Sequence, residues 1–534
     1  MPEPESLYRS CFDLRWHFDP AGATAAGVIE QSGRLGVFDV ESMRSHLAAF
    51  KALTAALEDA EVADLEAEID RTALLNDFRV TIARFTHEQP HVRNPGFWLS
   101  HLYEAFYGML ERRESPPELW AAAMVERFRA IPAFLDAAAA TLSDPAPVLV
   151  QAAVAMIDGG EALLGHAAAA AREAYVGLPE DIDRAAADAE AALGRFGLVL
   201  KTEMSEGEEH GFASGEEQFN RRLHFQHGLR ATAPELWRYG LHRVEELEQQ
   251  LEETARAIDA GRGWRDQVER LGADSVPASG RLEAQRMAME RARTFVARQD
   301  LATLPPGRLE VVETPVFLRP IVPFAMYSPP GPYCEDRTGR FYVTPGDGPG
   351  SLAGSRYAMT GTAVHEGYPG HHLHLLTMQT LPTEVRRVLW SPLTVEGWAL
   401  YCESLMDEAG YYDEPAQRLF HGMNMLWRAV RIILDIGLHT REMSPAAAVL
   451  FLRDKIPMSE GEAWAEVRRY CATPTYPLAY ALGWREIRRL RTDYAAREGP
   501  SFTLRGFHDH LLRYGGLPVT LARWGMGLPE EPAA

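Results

Sequence analysis

The chain has 534 residues, enough for two or three average domains or for one large two-lobed protein, and its 46% hydrophobic and 24% charged residues exclude wholesale disorder and a fibrous class. A formal net charge of -21, from 75 acidic against 54 basic residues, argues against a nucleic-acid partner or an anionic membrane surface, since either would repel the chain at long range. The four cysteines, Cys11, Cys334, Cys402 and Cys471, lack CxxC spacing, so neither a disulfide framework nor a cysteine zinc site is expected.

The N-terminal run MPEPESLYRSCFDLRWHF has no basic stretch leading into an apolar one, and no 18-residue apolar segment stands out. The chain therefore reads as cytoplasmic, without signal peptide or membrane span. Residues 1–300 read as a helical N-terminal lobe with Ala-rich stretches such as AFLDAAAATL. The acidic, Gly-containing run at 202–219 reads as a loop. At Thr232 a capping box with Glu235 predicts a helix start, and Trp237, Leu241, Val244, Leu247 and Leu251 predict its core-facing stripe. From 309 to 344, LEVVETPVFL, IVPFAMYSPP and GRFYVTPG predict a small sheet. Helices resume over 351–410 and 414–525. The expected fold is mainly α (α+β): two lobes around a cleft, with the sheet in a second lobe spanning 301–534.

The most unusual stretch is HEGYPGHH, residues 365–372. Zinc hydrolases often place two imidazoles one helical turn apart, with a Glu beside the first to activate water. Here Pro369 occupies the second ligand's usual place. Pro removes a backbone donor and Gly370 accepts unusual dihedrals, so a bulge is expected: one of two residues would bring His371 to that place, one of three His372. VEGWALYCESL supplies Glu396 as a third ligand, with Glu403 on the same helical face as an acceptor that fixes a ligating imidazole. Imidazole and carboxylate ligands favour zinc. Each residue alone has a plainer reading, as a packed imidazole or a solvated carboxylate; the combination points to a metal.

These motifs resemble a family of bacterial proteins, domain of unknown function 885, placed among gluzincin-like zinc peptidases with an HExxPGHH motif. EGWALYCE, RAVRIILDIGLH, RRYCATPTYPLAYALG and FHDHLLRYGGLP follow in the family's order over about 305–525, with RNPGFW and SGEEQFNRRLHFQHGL as weaker upstream matches. The resemblance implies one family unit over nearly the whole chain, His365 and His371 as paired zinc ligands, Glu366 as general base and Glu396 as carboxylate ligand, with His372 the alternative to His371. PTYPLAY departs from the family's Pro-Gly-Gln stretch, which bears on substrate choice. Many relatives are exported lipoproteins; a chain without a signal would meet an intracellular substrate.

The expected chemistry is hydrolysis of a small peptide or amide substrate, with a lean toward carboxypeptidase or dipeptidase action. Tyr480 is the first choice as oxyanion donor and His439 the second. Arg485, Arg468 and Arg469 are candidates for a substrate carboxylate. Arg428, Arg431 and Asp435 read as a structural ion-pair ladder. The competing readings are an amidohydrolase for a non-peptide metabolite and a zinc-containing helical binding protein without turnover.

Overall fold

Proline opens many of the helices, at Pro20, Pro95, Pro117, Pro392, Pro415 and Pro445, where the backbone N–H it lacks has no helical acceptor to lose. The structure, a computed structural model, describes residues 4–113, 116–174, 179–204, 207–316, 319, 325–345 and 354–529. It is mainly helical with one small sheet. By internal contacts the chain forms two units: Met1–Ala213 with Pro315–Ile321 and Gly331–Glu335, and Ser214–Thr314 with Val322–Pro330 and Asp336–Ala534.

The first unit is helical. Its core is aromatic: Phe38, Phe50, Phe78, Trp98 and Phe106 are all buried. Arg127, fully buried, donates to the carbonyls of Arg34, Gln31 and Ala105 and to Thr24 Oγ1, so this charge is used to close backbone gaps. Contrary to expectation, helix Pro147–Ala174 is long and apolar enough to cross a membrane by length and composition, although half of its most apolar window is buried.

In the second unit the capping box forms as expected, Glu235 accepting from the N–H and hydroxyl of Thr232. The buried stripe of helix Ala233–Ile258 is Leu236, Gly240, Val244, Leu247, Leu251 and Ala255. Trp237 and Leu241 lie off it: Leu241 is exposed and the Arg441 guanidinium covers the Trp237 ring. Small Gly240 takes the place at the contact because Ile432 and Ile433 press against it. The expected loop at 202–219 is shorter than read, since helix Gly215–Phe225 already occupies its end; 205 and 206 lie outside the described residues.

The sheet has strands β1 (Arg308–Glu313), β2 (Ala325–Ser328) and β3 (Thr338–Val343), in the order β1-β3-β2, with β1 parallel and β2 antiparallel to β3. Of the stretches expected as strands, 317, 318, 321–324 and 346 lie outside the described residues, as do 351–353 of the helical region. Val311, Phe341 and Val343 pack with Met289 of helix Ala278–Arg298 and with Ala363, two residues before His365. The sheet thus backs the segment that carries the His-Glu motif.

Candidate metal centre

Helix Arg356–Thr362 widens into a π-turn, Ala363–Gly367, that holds His365 and Glu366. Tyr368, Pro369 and Gly370 then turn the chain through a cis Tyr368–Pro369 bond, and a new helix runs from His371 to Met378. The Gly370 N–H donates to the Val364 carbonyl at 3.1 Å. A Cβ at 370 would stand 2.0 Å from the His365 carbonyl oxygen, so only glycine lets the chain return this closely. The interruption brings His371 beside His365, with ring centroids 4.8 Å apart and planes nearly perpendicular.

His372 is not brought to this place. It faces the sheet, its Nδ1 2.9 Å from the Tyr327 hydroxyl on β2, while His374 Nε2 meets the Gly515 carbonyl at 2.9 Å. Burial pushes the pKa of both down to about 4.

Helix Pro392–Glu408 presents Glu396 and, two turns on, Glu403. The Nε2 atoms of His365 and His371 lie 3.7 and 3.3 Å from Glu396 Oε2, and the three candidate ligand atoms fall within 4.8 Å of one another, all buried. Ligands about 2.0–2.1 Å from a tetrahedral zinc ion stand roughly 3.3 Å apart, close to the two spacings to Glu396 Oε2. Behind it, Glu403 accepts from His365 Nδ1 at 2.8 Å and lies 3.3 Å from His421 Nδ1. A carboxylate can only accept here, so Nδ1 of His365 carries the proton and Nε2 is the atom left to face an ion.

The electrostatics call for a cation. Burial works against a charged His365, but the hydrogen bonds with Glu396 and Glu403 and the charge of Glu366 outweigh it and push its pKa up to about 10. Burial also opposes charge on Glu396 and Glu403, yet the imidazoles hold both below the usual carboxylate range. Three carboxylates, of which Glu366 is half-buried, thus stand among His365, His371 and His421, and a divalent ion fits the His365, His371 and Glu396 donor set. Glu366 is half-buried and makes no hydrogen bond or ion pair with the described residues beyond its charge acting on His365.

Two tyrosines adjoin the cluster. Tyr480 lies 6.4 Å from His365, ring on nearly parallel ring, and burial together with the charge of Glu396 raises its pKa, so the phenol stays protonated. Tyr476, which the motif reading did not single out, donates to Glu396 Oε1. Its turn is anchored from below: Asp435 accepts from the N–H groups of Thr475 and Leu478 at 3.2 and 3.1 Å. Thr475 sits at φ 65°, a conformation costly for a β-branched residue, and its hydroxyl is 3.0 Å from buried His227 Nε2. Nothing in the spacing alone signals these contacts, although Tyr476 lies four residues from Tyr480.

The remaining candidates are placed elsewhere. His439 is spent on the backbone, Nε2 on the Tyr470 carbonyl at 3.0 Å and Nδ1 taking the Ser214 N–H at 3.4 Å, so it is not presented as a donor. Arg485 is held by Glu486 at 2.6 Å and covers the Tyr239 ring. Arg469 pairs with Glu466 at 3.0 Å, and Arg468 lies over Trp464. The expected ladder of Arg428, Arg431 and Asp435 does not form: Arg431 turns to Glu466 and Tyr470, while Asp435 serves the Thr475 turn.

Fold and site together define a mainly helical protein with a small sheet backing a buried His-His-Glu cluster. The chain belongs to the family described as bacterial protein of unknown function, DUF885, which matches residues 20–526. Among solved structures, a candidate lipoprotein of unknown function from Shewanella oneidensis is similar over 98% of this chain and 100% of its own, with 23% identity and a TM-score of 0.82. A candidate lipoprotein from Colwellia psychrerythraea covers 98% of both chains at 20% identity, TM-score 0.83. At these identities the likeness is one of fold. No curated protein matches. The two lipoprotein relatives overturn the cytoplasmic expectation and the intracellular substrate drawn from it, because this fold recurs in proteins described as lipoproteins.

Proposed function

We propose that this chain is a zinc-dependent hydrolase of peptide or amide bonds, with His365, His371 and Glu396 as the residues that hold the ion. The observation that carries this reading is the convergence of three buried donor atoms within 4.8 Å, backed by Glu403 on His365. Zinc bound there would supply polarisation of a carbonyl and acidification of a water. Glu366, next to His365 and free of other partners among the described residues, accepts the proton of the attacking water and returns it to the leaving amine. Tyr480, neutral and without a hydrogen-bond partner among the described residues, donates to the oxygen that gains charge. Tyr476 and Glu403 orient Glu396 and His365. A structural zinc site has no need of a partner-free Glu beside its ligand and commonly has four protein ligands, which sets the non-catalytic reading behind.

The test is mass spectrometry of a defined mixture of peptides and acyl-amino acids after incubation with zinc-loaded protein, beside Glu366→Gln. Products are expected with the wild type, and at least about 100-fold less with the variant at equal zinc content. An unchanged mixture with both proteins, each holding one zinc, would overturn the hydrolase reading.

A further inference from the structure

Helix Pro415–Thr440 touches the centre through His421 and then continues along it with Asn424, Arg428 and Arg431 at spacings of three, four and three. Arg431 is fixed: Nε donates to the Tyr470 hydroxyl and Nη2 to Glu466 Oε2, both at 2.9 Å. Glu466 also receives Arg469 at 3.0 Å and the Tyr470 hydroxyl. One carboxylate therefore already serves two guanidinium groups. Among the described residues Arg428 has no carboxylate of its own: Nη1 reaches the Asn424 side-chain oxygen, at 3.2 Å, and its Nε is buried without a partner. Glu403, whose charge reaches Arg428, is taken up by His365 and His421.

Arg428 lies next to the candidate metal centre, within reach of the charges of Glu403 and Glu466, both of which hydrogen-bond other groups. The guanidinium carbons of Arg428 and Arg431 are 5.9 and 4.7 Å from the centroid of Tyr480, and the Tyr480 ring is the one that lies parallel to His365. A buried guanidinium N–H without an acceptor is costly, and a planar carboxylate is the group that its paired N–H donors fit. In a C-terminal residue the carboxylate carbon is three bonds, under about 4 Å, from the carbonyl carbon of the bond before it. An anion subsite one aromatic ring from the metal centre suits that separation.

We propose that Arg428, with Arg431 beside it, binds the free carboxylate of the substrate's terminal residue and so selects C-terminal peptide bonds or N-acyl amino acids. This rests on the hydrolase reading and narrows its substrate class. Arg485, Arg468 and Arg469 are then not the selecting groups.

The test uses a mixture of N-acetyl dipeptides and their C-terminal carboxamides, incubated with zinc-loaded Glu366→Gln protein; retained members are counted by ultrafiltration and mass spectrometry. The free acids are expected to be retained roughly 10- to 100-fold better than the amides, the range for one charge-assisted pair. In the Arg428→Gln background that preference falls toward unity, Arg428→Lys keeps part of it, and Arg485→Gln keeps all of it. Equal retention of acids and amides, retention of neither, or loss of the preference in Arg485→Gln instead of Arg428→Gln overturns the subsite. The acid-against-amide comparison needs no arginine variant, so misfolding of one would not blunt it. Equal turnover of acids and amides by the wild type removes the subsite and leaves the hydrolase; acid-selective retention without Glu366-dependent turnover removes the hydrolase and leaves an acid-recognising site.

Discussion

Glu403 is the residue whose loss should speak most directly about the centre. It is fully buried, and it accepts from His365 Nδ1, the ring nitrogen turned away from Glu396 and His371. Glu403→Gln keeps the shape and leaves an amide in place of the charge that holds His365 toward the cluster. Zinc affinity is expected to fall about 10- to 100-fold, read by competition with a chromophoric chelator. Unchanged affinity would mean that His365 does not ligate. That His365, His371 and Glu396 converge was legible in part, because Pro369 and Gly370 announce an interruption whose length leaves few choices. Between His371 and His372 the choice was not legible, since it depends on Tyr327, a strand residue 45 positions away that takes His372 to the sheet. The partners of Arg469 and Arg485 were not legible for a related reason: which guanidinium finds a carboxylate is decided in space, by Glu466 and Glu486, and composition is silent on it.

Helix Pro392–Glu408, bearing Glu396, crosses helix Ala479–Glu498, bearing Tyr480, at two glycines. A Cβ on Gly483 would stand 1.8 Å from the Leu393 carbonyl oxygen and 2.6 Å from the Gly397 Cα. Backbone cannot yield as a side chain can, so Gly483→Ala must push the helices apart. A loss of about 3 kcal/mol or more is expected from denaturant midpoints, with turnover reduced because Tyr476 and Tyr480 move away from Glu396. Gly461→Ala is the contrasting case: nothing lies within 4 Å of the added carbon, and the helix Glu460–Ala472 should gain up to about 1 kcal/mol. Equal effects of the two substitutions would contradict the crossing. The capping box at Thr232 and the strands were readable because their signals are local. The helix stripe was read one position off, at Trp237 and Leu241, because an isolated period does not say that Ile432 and Ile433 demand a glycine between them.

At the scale of the molecule, a metal at this centre would link folding to both metal and pH. In the metal-free protein His365 has a pKa near 10 against about 6.5 unfolded, so its stabilising share is whole below about pH 6.5 and is lost as pH rises toward 10. Glu396 and Glu403 are held below their unfolded values, so their share is present above about pH 4.5 and is lost only as pH falls through the depressed range. These three groups should accordingly stabilise the chelator-treated protein most between about pH 4.5 and 6.5. An ion in the cluster reverses the upper limb: it takes the place of the proton on His365, competes best where imidazoles are neutral, and adds about 2.7 kcal/mol when free zinc is 100 times its dissociation constant. Melting temperatures with chelator and with zinc should therefore diverge between pH 6.5 and 9, the metal-free curve falling while the loaded curve holds. In His371→Ala the divergence should shrink, since one of the three donors is gone. Curves that fall in parallel would show that the positive charge this site demands is met by the proton alone, and the cluster would then be a buried salt bridge rather than a metal centre.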